Sequence, residues 1–309
     1  MKVFERHQVM LQEVDEKLYQ VLKTGNSHIN GSMDYLSSMK GKKIRPLLYL
    51  LGTKIAGEKA NIEVATALEM LHVATLIHDD VIDESKLRRN QESIQSKYSK
   101  DYAVYMGDYL FSSLFLLLSE SPMEREDMLE IARMMQKICV AEMHQYHQRY
   151  NIDMGFLGYL RIVSGKTAAL FSLSLAAGSK DKNRKKILLR LGYRLGVAFQ
   201  IQDDLLDFKG DGQCVGKDLR QDLARGNYSL PIILAYEAFP QTTKMLLEED
   251  SVAQEKLFDL LDESGALAKT EEVLQSYYEK IEKDLEKLDE YGGSEELREL
   301  IAFIKDRKH

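Results

Sequence analysis

Two short acidic segments break into apolar stretches of this chain, and any fold it adopts has to reconcile them with burial. One is Asp79-Asp80-Val81-Ile82-Asp83, preceded by Leu76-Ile77-His78; the other is Asp203-Asp204-Leu205-Leu206-Asp207, preceded by Phe199-Gln200-Ile201-Gln202. On a helix, positions i and i+4 share a face and i+1 flanks them. Each segment therefore presents its carboxylates in one general direction. The stretch from Val64 to Asp83 reads as a helix apolar on nearly every face, the pattern of a helix buried inside a bundle. Carboxylates withdrawn from water without partners cost several kcal/mol each, so a cation is expected between the two clusters. Oxygen-only ligands favour a hard ion, and Mg²⁺ combines one or two carboxylates with waters and substrate phosphates. Zinc would recruit His or Cys. The pattern implies a diphosphate held through magnesium ions.

Helical periodicity dominates the rest of the chain as well. Tyr102 to Leu118 and Leu188 to Phe208 resemble the first apolar helix, and no convincing strand alternation is present. An internal proline breaks a helix, and the 309 residues include only Pro46, Pro122, Pro231 and Pro240. Polar stretches at Gly178 to Lys186 and Lys209 to Gly216 punctuate the helices. The tail from Val252 to His309 reads as outer, partly solvated helices. No repeat or low-complexity linker marks a boundary. The expected fold is all-α, one large single-domain helical bundle over residues 1–309 around a central cavity.

The formal charge of -7 and pI near 5.6 argue against a general nucleic-acid surface. An anionic substrate must therefore rely on local clusters of Lys and Arg. Cys139 and Cys214 make no metal or redox motif, which points to a reduced, cytoplasmic location. Met1 to Lys23 is charged throughout, unlike a signal peptide, while Leu11, Val14, Leu18 and Val21 follow helical spacing. The longest apolar runs, such as Leu114 to Leu118, are too short to cross a bilayer. A soluble protein is expected.

The basic groups that a diphosphate needs occur in short clusters. Gly41-Lys42-Lys43-Ile44-Arg45-Pro46 places Lys42 and Arg45 three apart, just before an expected helix. Arg88 and Arg89 end a short polar loop after the first acidic segment. Gly165-Lys166-Thr167 falls in a helical stretch, and Lys217 follows the second segment. Arg grips phosphate bidentately, whereas Lys acts as a point charge.

With these elements in order, the chain resembles the trans-isoprenyl diphosphate synthase (polyprenyl synthetase) family over nearly its whole length. The two DDxxD motifs, the spacing from His72 to Asp79, the Arg88-Arg89 pair, Gly107-Asp108-Tyr109, Gly165-Lys166-Thr167 and Gly196 to Asp207 all match its pattern. The resemblance implies an all-α fold of the isoprenoid synthase type and a prenyltransferase that condenses isopentenyl diphosphate head-to-tail with an allylic diphosphate. It implies Mg²⁺ at Asp79, Asp83 and Asp203, supported by Asp80, Asp204 and Asp207. Isopentenyl diphosphate would meet Lys42, Arg45, His72 and Arg89; the allylic diphosphate would meet Arg88, Lys166, Thr167, Gln200 and Lys217. The metal would draw the diphosphate from the allylic carbon, the isopentenyl double bond would attack the carbocation, and the departing diphosphate would accept the lost proton. Thr167 and Gln200 would place oxygens near the cation.

Some positions depart from the family pattern. Lys40 and Lys43 stand for the usual Gly and Arg, which would stiffen the first loop. Asn90 replaces a common Gly, tolerable because Asn adopts a left-handed backbone. Glu92 replaces Pro, and Asn227 replaces Lys.

Small residues at Ala74 and Thr75, where bulky aromatics limit chain length in the family, imply medium or long products, with Met70, Leu71 and Phe115 as a deeper floor. A short-chain synthase is the alternative. A homodimer is expected, with the catalytic subunit of a heteromer as the other arrangement; nucleic acid is not expected as a partner, and the product would be available to membrane enzymes. A terpene cyclase would not need Lys42, Arg45 and His72 for a second substrate, and a regulatory subunit would have lost the acidic segments. Glu142, His144 and His147 read as a polar stripe rather than a metal site, and Met134 and Met135 as core filling.

Overall fold

The helical periodicity is realised along the chain. The computed structural model describes residues 2–39, 41–209, 222–248 and 254–307. It begins with α1 (Lys2–Arg6), α2 (Gln8–Leu22), α3 (Ser27–Ser38), α4 (Ile44–Ala56) and α5 (Ile62–Ile82). A hairpin of β1 (Leu87–Arg88) and β2 (Gln91–Glu92) leads through α6 (Ile94–Lys97) to α7 (Lys100–Glu120) and α8 (Arg125–His147). Then come α9 (Gly155–Val163), a π-helical turn at Ser164–Ala168, α10 (Ala169–Ala176) and α11 (Lys182–Lys209). The later helices span Leu230–Ala238, Pro240–Glu248, Gln254–Glu263, Ala266–Asp289 and Glu295–Lys305. The chain divides into two compact units, residues 1–135 with 173–185 and residues 136–172 with 186–309.

In the first unit α5 is the central element. Asn61 caps it by accepting from the backbone N–H groups of Glu63 and Val64, and the side chains of Leu68, Met70, Leu71 and Ala74 are fully enclosed. Each enclosed Leu or Met contributes roughly 1.5–3 kcal/mol. Helix α7 lies along α5 and buries Ala103, Met106, Leu110 and Leu114. Close approach depends on Gly107, where any Cβ would overlap the His78 ring. Gly107 is thus explained by packing. Among the described residues α7 alone is long and apolar enough to cross a bilayer by length and composition, a property shared by core helices, and its Leu110 face is core.

Two other expectations change in detail. Helix α2 buries Leu11, Val14, Leu18 and Leu22, while Val21 is only half-buried, because the fourth turn of a 3.6-residue helix returns to position 22. Phe115 is 44% exposed on α7 and forms no deep floor.

In the second unit α11 carries the second acidic segment on a buried scaffold. Leu188, Leu191, Leu195, Val197, Ala198 and Ile201 are enclosed. Gly192 and Gly196 let α11 press directly on backbone at Phe171, Ser172 and Ala168. The C-terminal helices are more than an outer layer: Asp284 is wholly buried and receives Arg190 and Arg194 from α11, with Arg190 Nε at 2.9 Å and Arg194 Nη1 at 2.6 Å.

This clamp sets how α11 is held against the Ala266–Asp289 helix. Removing one partner of a buried ion pair strands the other charge and typically costs about 3–5 kcal/mol. Asp284→Ala is expected to lower unfolding free energy by about that amount, discounted toward the lower end because Arg190 is partly exposed. Urea denaturation followed by circular dichroism checks it; a loss within experimental error would show that the clamp contributes nothing.

Candidate active site

The first acidic segment ends α5. Asp79 and Asp83 are partly exposed, whereas Asp80 is 4% exposed and faces inward. Arg88 reaches Asp80 from β1 through two nitrogens, with Nε to Oδ1 at 3.0 Å. Burial and the neighbouring Asp79 and Asp83 push the Asp80 carboxyl above its usual pKa, and Arg88 opposes them.

The expected polar loop is in fact a tight hairpin, with Leu87 opposite Glu92 and Arg88 opposite Gln91. Its two-residue turn places Arg89 (φ 52°) and Asn90 (φ 62°) in left-handed backbone, the geometry of a type I′ turn. Asn90 suits that position, as its chemistry predicts, whereas Arg89 bears strain of roughly 1–2 kcal/mol. The turn projects the two arginines differently: Arg88 returns to Asp80, while Arg89 Nη1 donates to the Met39 carbonyl at 2.8 Å.

Lys42 precedes α4 and is exposed; Arg45 lies within its first turn rather than ahead of the helix, half-buried. Lys43 at the N-cap has left-handed backbone and makes no side-chain cap bond. A helix N-terminus attracts anions, so the start of α4 adds to the charges of Lys42 and Arg45. His72 is surrounded by cations: burial and the charges of Arg45, Arg89, Arg88 and Lys43 hold its pKa well below 6.5. It therefore stays neutral. Ala74 is enclosed, and the Thr75 hydroxyl donates back to the His72 carbonyl at 2.9 Å.

The second segment repeats the asymmetry. Asp203 and Asp207 are partly exposed, and Asp204 is 5% exposed. Asp204 accepts from the Leu230 backbone N–H at 2.9 Å and from Gln200 Nε2 at 3.1 Å, with the Tyr159 hydroxyl against it. Burial pushes its pKa to about 6 despite these donors. Gln200 Oε1 accepts from the Thr167 hydroxyl at 2.9 Å, which joins Thr167, Gln200 and Asp204 in one chain.

Lys166 and Thr167 project from the π-helical turn, a distortion common at functional sites. Lys166 Nζ donates to Glu142 at 3.0 Å and Gln145 at 3.2 Å. Glu142 thus serves as a lysine partner on the polar stripe. Any Cβ at Gly165 would overlap Ala141, so glycine lets this turn approach α8.

Sequence reasoning missed Arg307, which pairs with Asp203 and stacks on Phe199 at 4.2 Å. Its only sequence signal is a basic residue in the tail. Lys217 lies outside the described residues.

Among the described residues, no three His, Cys, Asp or Glu side chains converge into a ready-made metal cage. The donor chemistry in each unit nevertheless suits a hard cation, because the outer carboxylates, Asp79 and Asp83 in the first unit and Asp203 and Asp207 in the second, supply partly exposed oxygen ligands.

These features define a class, an all-α fold of the isoprenoid synthase type. A geranylgeranyl pyrophosphate synthase of Lactobacillus brevis superposes with a TM-score of 0.91 at 28% identity, covering 98% of each chain. A polyprenyl synthase of Caulobacter crescentus, solved with calcium and isoprenyl diphosphate, gives 0.89 at 26% identity over 99% of this chain and 97% of its own. Heptaprenyl diphosphate synthase component 2 of Bacillus subtilis is 28% identical over 96% of this chain and 87% of its own length. The polyprenyl synthetase model matches residues 26–263, and the chain belongs to that family, whose members are prenyltransferases.

The neutral state of His72 has a thermodynamic consequence. Below the ordinary imidazole pKa of 6.5 the unfolded chain binds a proton that the folded chain refuses, so stability falls as pH falls. The His72 share is fully present above about pH 6.5 and declines by up to about 1.4 kcal/mol per pH unit below it. His72→Gln is expected to flatten this acid limb in urea midpoints measured from about pH 7 to about pH 5. An unchanged slope would show that the ring titrates normally.

Proposed function

We propose that the chain is a magnesium-dependent trans-prenyltransferase, acting as a single domain, that lengthens an allylic diphosphate with isopentenyl diphosphate to a medium- or long-chain product. The observation that carries this reading is the shared asymmetry of the two acidic segments. In each, the middle carboxylate is buried against protein donors and the outer two are partly exposed.

Asp79, Asp83, Asp203 and Asp207 are the residues to hold Mg²⁺, with Asp80 and Asp204 supporting them from within the protein. When bound, the ion supplies Lewis-acid neutralisation of the departing diphosphate. Lys42, Arg45 and Arg89 bind isopentenyl diphosphate, and neutral His72 offers a ring N–H without adding to the surrounding positive charge. Arg88, Lys166 and Lys217 receive the allylic diphosphate. Thr167 and Gln200, fixed by their mutual hydrogen bond, orient oxygens toward the developing allylic cation. The isopentenyl double bond attacks that carbon, and the proton lost from the adduct passes to the released diphosphate.

The chain-length reading rests on the small side chains of Ala74 and Thr75 on α5. Helix α7 also exposes Tyr105 (73%), Leu116 (58%) and Phe115 (44%), an apolar surface suited to a second copy of the chain. Cytoplasmic location is part of the same reading, with Cys139 a free thiol. A second reading, the catalytic subunit of a two-component synthase with its product passed to membrane enzymes, is favoured by the similarity to a protein named component 2.

Purified protein incubated with Mg²⁺, farnesyl diphosphate and labelled isopentenyl diphosphate is expected to give a ladder of extended products, abolished by chelator. Incorporation only after a partner subunit is added would favour the second reading. No incorporation under either condition would sink both.

Ala74→Phe is expected to shift the product distribution at least one isoprene unit shorter, resolved by thin-layer chromatography of the dephosphorylated products. An unaltered ladder would place the elongating chain away from this face of α5.

A further inference from the structure

The reaction assigns no role to Glu69, yet it is 2% exposed in the middle of the most apolar stretch of α5. A buried carboxylate at such a position is costly and needs a reason. Its Oε1 lies 3.4 Å from Lys43 Nζ, which also pairs with Asp15 of α2 at 2.6 Å. Among the described residues Oε2 has no hydrogen-bond partner. Glu69 lines a cavity of about 310 Å³ together with Gly41, Lys43, Asp80, Arg88 and Arg89.

The placement relates Glu69 to both basic segments of the first unit. Glu69 and Asp80 are eleven residues apart, three helical turns, and so share one face of α5. Asp80 anchors the hairpin through Arg88, and Glu69 anchors the loop before α4 through Lys43. The loop and hairpin are tied to each other by the Arg89 bond to the Met39 carbonyl. Lys43 sits between Lys42 and Arg45 in left-handed backbone, which an unanchored lysine would not prefer. Burial works against the Lys43 charge, but Glu69 and Asp15 outweigh it and hold its pKa above the usual lysine value. Burial likewise lowers the Arg89 pKa, and Glu69 opposes that shift.

We infer that Glu69 is a positioning residue, which through Lys43 anchors the loop carrying Lys42 and the first turn of α4 carrying Arg45, and counter-charges the cations around His72, so that the diphosphate of isopentenyl diphosphate meets a pre-set site. The inference rests on the proposed reading of those residues as isopentenyl diphosphate ligands. Glu69 touches no reacting atom. Its loss should weaken binding of one substrate and spare the chemical step.

The test combines steady-state kinetics with hydrogen exchange of the unliganded protein. Glu69→Gln keeps the side-chain volume and removes the charge. Loss of a charged, buried pair is expected to raise KM for isopentenyl diphosphate about tenfold or more, with kcat and the KM of the allylic primer changed less than about threefold. Amides of residues 41–45 and 47 are expected to exchange faster while those of α5 do not. Lys43→Arg, which preserves the pair, should stay near wild type. Should Glu69→Gln fail to fold, Lys43→Met breaks the same pair from the loop side and is expected to give the same split. Unchanged isopentenyl KM in both charge-removing variants would overturn the inference, as would faster exchange spread along α5 with a lower Tm and no KM effect. A wild-type protein that turns over no isopentenyl diphosphate, while Glu69→Gln still loosens 41–47, would sink the reading of function and leave the anchoring intact.

Discussion

The structure of each unit depends on how a carboxylate is kept charged inside an apolar helix. An unpaired buried carboxylate is too costly to retain. Asp80 is therefore met by Arg88, and Asp204 by Gln200 and the Leu230 amide. Each solution fixes a neighbouring segment as well as a charge. Arg88 draws the hairpin onto α5, and the Asp204 donors bring the start of the Leu230–Ala238 helix and the Gln200–Thr167 pair into register with α11. The outer carboxylates, placed on helices already held this way, stay partly exposed.

Helix packing follows the same logic at the glycines. Gly107, Gly165 and Gly196 stand where a Cβ would strike a neighbouring ring or helix. Their absence of a side chain brings α7 onto α5 beside His78, and the turn carrying Lys166 and Thr167 against α8 and α11. Arg89 carries strain, since it adopts left-handed backbone in the hairpin turn. Such strain persists only where surrounding contacts over-determine the conformation, as the Arg88–Asp80 pair and the Arg89–Met39 bond do here.

Much of this was legible in the linear order of residues. Helix α5 was readable from its apolar run and α11 from its periodicity, because both signals are local. Asn90 was readable as a left-handed turn residue for the same reason. The hairpin was not, since two-residue strands carry no alternation. Val21 and Leu22 both fit helical spacing from Leu18, since i+3 and i+4 are both helical, and only packing selects Leu22 for the core. An aromatic on an amphipathic helix gives no sign in sequence of which side will be covered, and Phe115 is exposed rather than part of a deep floor. Glu142 and Arg307 acquire meaning only beside Lys166 and Asp203.

By itself, then, the sequence determined the all-α class, the order of the acidic and basic groups and their family pattern, since periodicity and spacing are properties of adjacent residues. Only the tertiary structure decided which carboxylate of each segment is buried and which remain partly exposed. That choice depends on donors supplied from elsewhere in the chain: Arg88 lies 8 residues from Asp80, Leu230 lies 26 from Asp204, and Arg307 lies 104 from Asp203. Folding brings those donors within hydrogen-bonding reach, and no spacing rule along the chain specifies them.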